Sequence, residues 1–107
     1  MANEVEQFLK WSMENEVDRR IPMIVGEIIL ERVRQENLRR SGKFEHTCAS
    51  RVGLRFADKL AILAEEFGEV SREVVEGQNK PIDIQKLRAE LIQVAAVAVA
   101  WVESLTP

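Results

Sequence analysis

Apolar residues recur along this chain at the three- and four-residue spacing of amphipathic helices, and no stretch shows the strict alternation of a strand. Three helices are predicted at about residues 3–20, 22–40 and 54–76, and a fourth, capped by Asp83, runs to about Leu105. A chain of 107 residues has material for one hydrophobic core. We therefore predict an all-α fold, a bundle of about four helices, in a single domain over residues 1–107.

Glycines and a proline mark the predicted ends of these helices. Pro22 indicates a break or a new start after the first helix, and Ser41-Gly42 closes the second. The stretch from there to Gly53 has no periodicity, which predicts a loop and a candidate lid. Gly77 is expected to end the third helix in the left-handed conformation.

The third and fourth helices carry most of the apolar surface. The predicted core stripe of the third consists of Leu60, Leu63, Phe67, Val70 and Val74. Small residues beside that stripe, among them Ala64 and Gly68, allow a neighbouring helix to approach closely. The fourth helix is apolar nearly all round after Gln93, which predicts a central position or a subunit interface. A homo-oligomer is the simplest way to cover it.

Acidic residues border the core on both helices. The flank of the third helix opposite the small residues carries Lys59, Glu66, Glu69 and Glu73. Like charges on neighbouring turns cost about 0.2–0.5 kcal/mol per pair unless a cation lies among them. On the fourth helix, Glu90 falls within an apolar arc, which is a poor place for a solvated charge, and Gln93 follows one turn later. Such oxygens suit Mg²⁺.

Composition and charge exclude several classes of function. The net charge of -3 argues against binding to a nucleic acid polymer or an anionic membrane, both of which require a basic surface. The apolar stretch from Leu91 to Val102 is shorter than the roughly 20 residues that span a bilayer. Cys48 has no second cysteine for a disulfide, and the first ten residues lack the pattern of a signal peptide. We therefore expect a cytoplasmic protein.

The two carboxylate motifs resemble those of a known family. Glu66-Phe67-Gly68-Glu69 is an ExxE pair, and Glu90-Leu91-Ile92-Gln93 follows after twenty residues, 70 to 89. The chain is similar here to the MazG-like all-α nucleoside triphosphate pyrophosphohydrolases, in which an ExxE pair precedes an ExxD pair. The segments 31–35, 42–49, 63–70 and 87–103 also look like the short phage and bacterial members, so that the resemblance covers most of the chain after about Ile24.

The resemblance implies a Mg²⁺-dependent attack of water on the α-phosphorus of a nucleoside triphosphate, with Mn²⁺ as an alternative metal. It implies that Glu66, Glu69 and Glu90 bind the metal and that Glu65 or Glu69 orients the water. It also implies a homodimer or homotetramer. Gln93 stands where the family has Asp; its carbonyl can still bind a metal but carries no charge.

Other residues are candidates for substrate binding. Glu31 and Gln35 continue an apolar stripe and are expected to read base or ribose; a buried hydrogen-bonded pair, or a salt bridge to Arg51 or Arg55, is an equal alternative. Phe44 is the loop aromatic expected to stack on the substrate. The cations of Lys59 and Lys86 are expected either to contact phosphate or to balance the acids.

The loop also contains one histidine and one cysteine, and a non-catalytic function remains an alternative to the enzyme. His46 and Cys48 are expected to be ordinary loop side chains, because neither has a partner at the spacing of a metal or catalytic site. The rival to the enzyme is a catalytically idle helical module for nucleotide sensing or dimerisation, which Gln93 and the apolar fourth helix favour.

Overall fold

A computed structural model describes residues 3–15 and 20–107, and within these ranges it contains four α-helices and no strand. The helices are α1 (Glu4–Asn15), α2 (Arg20–Arg40), α3 (Phe56–Glu76) and α4 (Ile84–Ser104). The predicted all-helical fold is confirmed. The part of the predicted first helix that covers residues 16–19 lies outside the described residues.

Helix α4 lies between α2 and α3, as its apolar sequence predicts. It packs antiparallel to α3, and it runs in the same direction as α2, since contacts join the starts of these two helices and also their later turns. Ala96, Val97 and Ala100 of α4 are buried, and with Cys48 they form the centre of the core. The small alanine side chains let the neighbouring helices approach closely.

The helix ends agree with two of the three predicted caps. Gly42 ends α2 with a φ of 86°, and its amide and that of Lys43 donate to the carbonyls of Arg39 and Leu38 at 3.0 and 3.1 Å. Asp83 caps α4 by accepting a hydrogen bond from the backbone amide of Lys86 at 3.1 Å. These caps fix where the loop leaves α2 and where α4 begins.

The prediction for Gly77 was wrong. This residue is right-handed, with a φ of -66°, so the left-handed region is not what requires a glycine. A Cβ atom at Gly77 would lie 2.1 Å from Cγ1 of Ile82, which packs against the backbone here. A close approach of the α3–α4 turn therefore explains this glycine.

The predicted core stripe of α3 was largely wrong, since only Val70 among its five residues is buried. Phe67 is 62% exposed, and Leu60 and Val74 are also exposed. The flank that carries the charges faces α4 instead, so that Lys59 and Glu73 are buried and Glu66 is half-buried. Leu63 is half-buried and packs against the core. The open face of α3 therefore consists of Leu60, Phe67 and Val74 with the small residues Ala64 and Gly68.

The second half of the loop between α2 and α3 is fixed by side-chain hydrogen bonds from α2 and α3. The hydroxyl of Thr47 donates to Glu36 at 2.9 Å, and Lys59 Nζ donates to the carbonyl of Ser50 at 2.7 Å and to Ser104 Oγ at 2.8 Å. The first half, with Lys43 and Phe44, is exposed. The part of the loop that can serve as the predicted lid is therefore this first half.

A buried ionic network joins α2 to the loop and to α4. Arg32 is buried and donates to Glu103 at 2.7 Å, to Gln35 at 2.9 Å and to Glu36 at 3.1 Å. Glu36 also accepts a hydrogen bond from Arg39 at 2.9 Å. Burial by itself raises the pKa of Glu36, but the donors from Arg39, Arg32 and Thr47 outweigh it and lower the pKa to about 2.

Candidate functional site

A cavity of about 410 Å³ opens where α2, the loop, α3 and α4 meet. This volume is in the range of small-molecule sites. The α2 and loop residues of its wall are Glu31, Arg34, Gln35, Leu38, Lys43, Phe44, His46, Thr47 and Cys48. The α3 and α4 residues are Ile62, Glu65, Glu66, Gln93 and Val97. The predicted residues Glu31, Gln35, Phe44, Glu65, Glu66 and Gln93 are thus brought to one cavity.

Glu66 is the most perturbed acid of this wall. Its pKa is raised, first because the side chain is half-buried and second because other carboxylates lie nearby. In order of effect, those carboxylates are Glu90, Glu65, Glu69 and Glu31. The folded chain therefore concentrates negative charge from three helices around one half-buried side chain.

The four predicted metal ligands are neighbours in the structure but do not converge on one point. Glu69 is exposed and Glu90 is half-buried, and neither lines the cavity that Glu66 and Gln93 share. Within the two described ranges, no three His, Cys, Asp or Glu side chains lie close enough together to hold a metal ion.

The cationic part of the wall comes from residues that the sequence analysis did not select. Arg34 donates to both carboxylate oxygens of Glu31, at 2.8 and 2.5 Å, and this hydrogen bonding raises the pKa of Arg34. Lys43 lines the cavity and has no ion-pair partner among residues 3–15 and 20–107. The only signal for Arg34 was its position three residues after Glu31, which is the spacing of a surface pair.

Glu31 and Gln35 have other partners than those predicted. Arg55 instead pairs with Asp58 at 3.0 Å, and Arg51 donates to the carbonyl of Thr106. Gln35 accepts its hydrogen bond from Arg32 on the same helix. The two side chains are therefore satisfied within α2 while they face the cavity.

His46 and Cys48 are side chains of the loop between α2 and α3, and both also line the cavity. The ring of His46 lies against Gly53, which has a φ of 94°, and a Cβ there would approach the ring to 2.3 Å. Burial raises the pKa of the Cys48 thiol, with smaller opposing effects from Lys59 and Arg32. A Gly at position 53 was the one sequence signal that the loop folds back on itself.

Two candidates for phosphate contact lie elsewhere. Lys59 is 2% exposed, and its ammonium group is occupied by the loop carbonyl and by Ser104. Lys86 forms an ion pair of 2.8 Å with the buried carboxylate of Glu73, which raises the pKa of Lys86. Neither residue lines the cavity. Lys86 balances the charge of an acid, which is the second of the two predicted roles, and Lys59 holds the loop against α4.

A second cavity, of about 380 Å³, continues the groove between α2 and α4 towards the starts of both helices. It shares Glu31, Arg34 and Gln93 with the first cavity. The rest of its wall is formed by Glu27, Leu30, Arg88, Ala89 and Ile92. Arg88 donates to Glu27 at 3.1 Å across the groove. The two cavities are therefore adjoining parts of one groove.

Comparison with known proteins identifies no relative: no family profile, curated protein or solved structure matches this chain. Along the described residues, no helix combines the length and the apolar character needed to cross a membrane.

Proposed function

We propose that this protein is a Mg²⁺-dependent nucleoside triphosphate pyrophosphohydrolase that yields a nucleoside monophosphate and pyrophosphate. The observation that carries the proposal is the environment of Glu66, a half-buried carboxylate surrounded by four others at the wall of a cavity of about 410 Å³. Repulsion of this kind weakens the fold, and a bound divalent cation removes it. The cluster therefore fits a metal-binding role better than a solvated surface.

The donor set fits Mg²⁺, and Mn²⁺ is an alternative. Glu66, Glu69 and Glu90 offer carboxylate oxygens, and Gln93 offers an amide oxygen one turn after Glu90. When bound, the ion supplies charge neutralisation for the phosphates. The three carboxylates and the half-buried amide of Gln93 make a site that is less negative by one charge than four acids would be.

The chain's own acids can orient water. Glu65 and Glu69 are exposed, and neither forms an ion pair within the described ranges. Either carboxylate can accept a proton from a water molecule as the water oxygen bonds to the α-phosphorus. The bond from that phosphorus to the bridging oxygen then breaks, and pyrophosphate leaves with the electron pair.

The loop end of the cavity fits a nucleoside. Leu38, Ile62 and Val97 supply apolar surface there, and the exposed ring of Phe44 lies at the same end. An aromatic ring can stack on any base. Gln35 also lines the cavity and is the candidate for reading base or ribose, whereas the carboxylate of Glu31 binds Arg34.

The exposed apolar face of α3 supports the formation of a homo-oligomer. The open face of α3, with Leu60, Phe67 and Val74, leaves large apolar side chains exposed beside Ala64 and Gly68. Contiguous apolar surface of this kind is usually covered in a soluble protein. We infer a homodimer or homotetramer, which sedimentation velocity tests; a monomer at micromolar concentration would contradict it.

The test of the enzyme is release of pyrophosphate from ribo- and deoxyribonucleoside triphosphates, with Mg²⁺ and with chelator. Wild type, Glu69→Gln and Glu76→Gln are assayed together. Glu76 is an acid on the same helix that pairs with Arg72 and does not line the cavity, so its variant is the matched control. We expect release by wild type and control and a loss of at least 100-fold in Glu69→Gln.

The rival function is a catalytically idle module that binds nucleotides or dimerises. It is favoured by Gln93, since this half-buried amide lines both cavities where a fourth acid would complete the charge of a metal site. No release by folded, oligomeric wild type with any nucleotide would support the rival and would refute the enzyme.

A further inference from the structure

The groove between α2 and α4 has chemically different ends. Its loop end is apolar, with one unpaired cation, Lys43. Its other end contains the guanidinium group of Arg88, and Arg34 lies where the two cavities meet. From Glu27 to Leu38 the axis of α2 rises about 16 Å, at about 1.5 Å per residue. The groove is therefore long enough for an extended ligand with one apolar and one anionic end.

Both arginines are exposed and are held by acids. Arg88 and its partner Glu27 are 44% and 36% exposed, whereas Arg34 is 55% exposed and its partner Glu31 only 13%. An exposed pair such as Arg88–Glu27 contributes only about 0–1 kcal/mol. A guanidinium group binds phosphate through two parallel hydrogen bonds, which are about twice as strong as neutral ones. A polyphosphate can therefore displace Glu27 from Arg88, and it competes with Glu31 for the exposed guanidinium group of Arg34.

We propose that Arg34 and Arg88 form the subsite for the β- and γ-phosphates, and that the acids Glu27 and Glu31 occupy it in the free protein. This inference rests on the proposed function, and it fixes which end of the groove holds the base and which holds the phosphates. The base lies at the loop end, the α-phosphate lies beside Glu66 and Gln93, and the leaving pyrophosphate points towards the start of α4.

The opposite direction is disfavoured by the surroundings. It would place three phosphates against Leu38, Ile62 and Val97, where charged oxygens lose water without gaining partners. Lys43 is the one cation there without an ion pair in the described part of the chain, whereas Arg34 lies at the junction of the two cavities and Arg88 at the other end. The difference in charge and in apolar surface favours the base at the loop end.

Binding of inorganic tripolyphosphate tests the subsite without any assumption about the base. Isothermal titration calorimetry with Mg²⁺ at about 0.1 M salt compares wild type with Arg88→Gln and Glu27→Gln. Loss of Arg88 is expected to weaken binding about tenfold, and loss of Glu27 is expected to tighten it by at least threefold, because the competing carboxylate is gone. A merely structural ion pair would make both variants change in the same direction.

A matched pair elsewhere serves as the control. Arg72 and Glu76 form an exposed ion pair on α3 at 3.2 Å, and neither residue lines the groove. Arg72→Gln and Glu76→Gln are expected to bind tripolyphosphate within twofold of wild type. Thermal unfolding of every variant identifies those that have lost their fold.

Three results would overturn the inference. The first is binding that Arg88→Gln leaves unchanged, and the second is weaker binding in both Arg88→Gln and Glu27→Gln. The third is a larger loss in Lys43→Gln than in Arg88→Gln, which would reverse the direction of the substrate. Pyrophosphate release by the same wild-type preparation keeps the two proposals distinguishable, because an active enzyme that is indifferent to Arg88 refutes only the subsite.

Discussion

Protonation of Glu36 is expected to dominate the loss of stability of this protein in acid. The carboxylate accepts hydrogen bonds from Arg32, Arg39 and Thr47, and so connects two turns of α2 to the loop. Its pKa is about 2 in the folded chain against 4.5 as the ordinary value. Because the folded pKa is depressed, the stabilisation is fully present above pH 4.5 and is lost as the pH falls from 4.5 to 2.

The size of this contribution follows from the same two values. A difference of about 2.5 units corresponds to about 3 kcal/mol at 1.36 kcal/mol per unit. The side chain of Glu36 is 28% exposed, so solvent screening reduces the figure to about 2 kcal/mol. For a domain of this size, 2 kcal/mol is a large part of the total stability.

The assay is urea unfolding of wild type and Glu36→Gln from pH 7 to pH 3. Urea is preferred to guanidinium because it does not screen charge. Glu36→Gln is expected to be about 2 kcal/mol less stable at pH 7, and the gap should narrow as the pH falls towards 3. Glu45→Gln, a change at an exposed loop acid, is the control and should show no gap. A gap for Glu36→Gln that stays constant across this pH range would refute the reasoning.

Four further changes have expected effects on stability that urea unfolding can measure. Glu66→Gln should stabilise the metal-free protein by about 0.5–1 kcal/mol at pH 7, because the raised pKa penalises the charged form only above about pH 4.5; no gain at pH 7, or an equal gain below pH 4, would contradict this. Gly77→Ala should cost about 1–3 kcal/mol through its clash with Ile82, whereas Gly26→Ala, with nothing within 4 Å, should gain up to about 1 kcal/mol; equal effects would be inconsistent with the packing. Lys59→Met should lower the free energy of unfolding by about 1–3 kcal/mol because a loop carbonyl loses its hydrogen-bond donor. Unchanged stability would contradict this, because the desolvation cost of the buried ammonium group would then equal the stabilisation from its hydrogen bonds.

The helical fold could be predicted from periodicity, but the face that each helix buries could not. On α3, the residues of the apolar stripe that contains Phe67 and those of the charged flank that contains Glu73 both recur at helical spacing. Hydrophobicity predicts that the apolar stripe is the buried face. The charged flank is the face that packs on α4 instead, because Glu73 forms an ion pair with Lys86, and Lys59 donates hydrogen bonds to a carbonyl and a hydroxyl group. Partners of this kind come from distant parts of the chain, so that no local pattern indicates them.

The α2 side of the site shows the same limit. Glu31-Arg32-Val33-Arg34-Gln35 offers two arginines whose roles the sequence does not distinguish. A rotation of about 200° between Arg32 and Arg34 on the helix turns the first towards Glu103 and the core and the second towards the cavity. The direction of that rotation depends on how α2 packs on α4. Acid spacing was therefore enough to select Glu66, whereas Arg34 required the packed structure.

The distribution of charge on α2 also links stability to the proposed chemistry. The buried side of the helix has its charges neutralised by permanent partners, since Arg32 and Glu36 bind each other and a third residue each on α4 or the loop. On the groove side, Arg34 forms its ion pair, within the described residues, with its neighbour Glu31 alone, and the pKa of the Glu66 carboxyl group at the same cavity is raised. Charges on the buried side of α2 are therefore fully paired, whereas charges on the groove side, where a ligand is proposed to bind, are only partly paired. A metal ion and a polyphosphate would supply the missing positive and negative partners together, which is why binding of each is expected to strengthen the binding of the other.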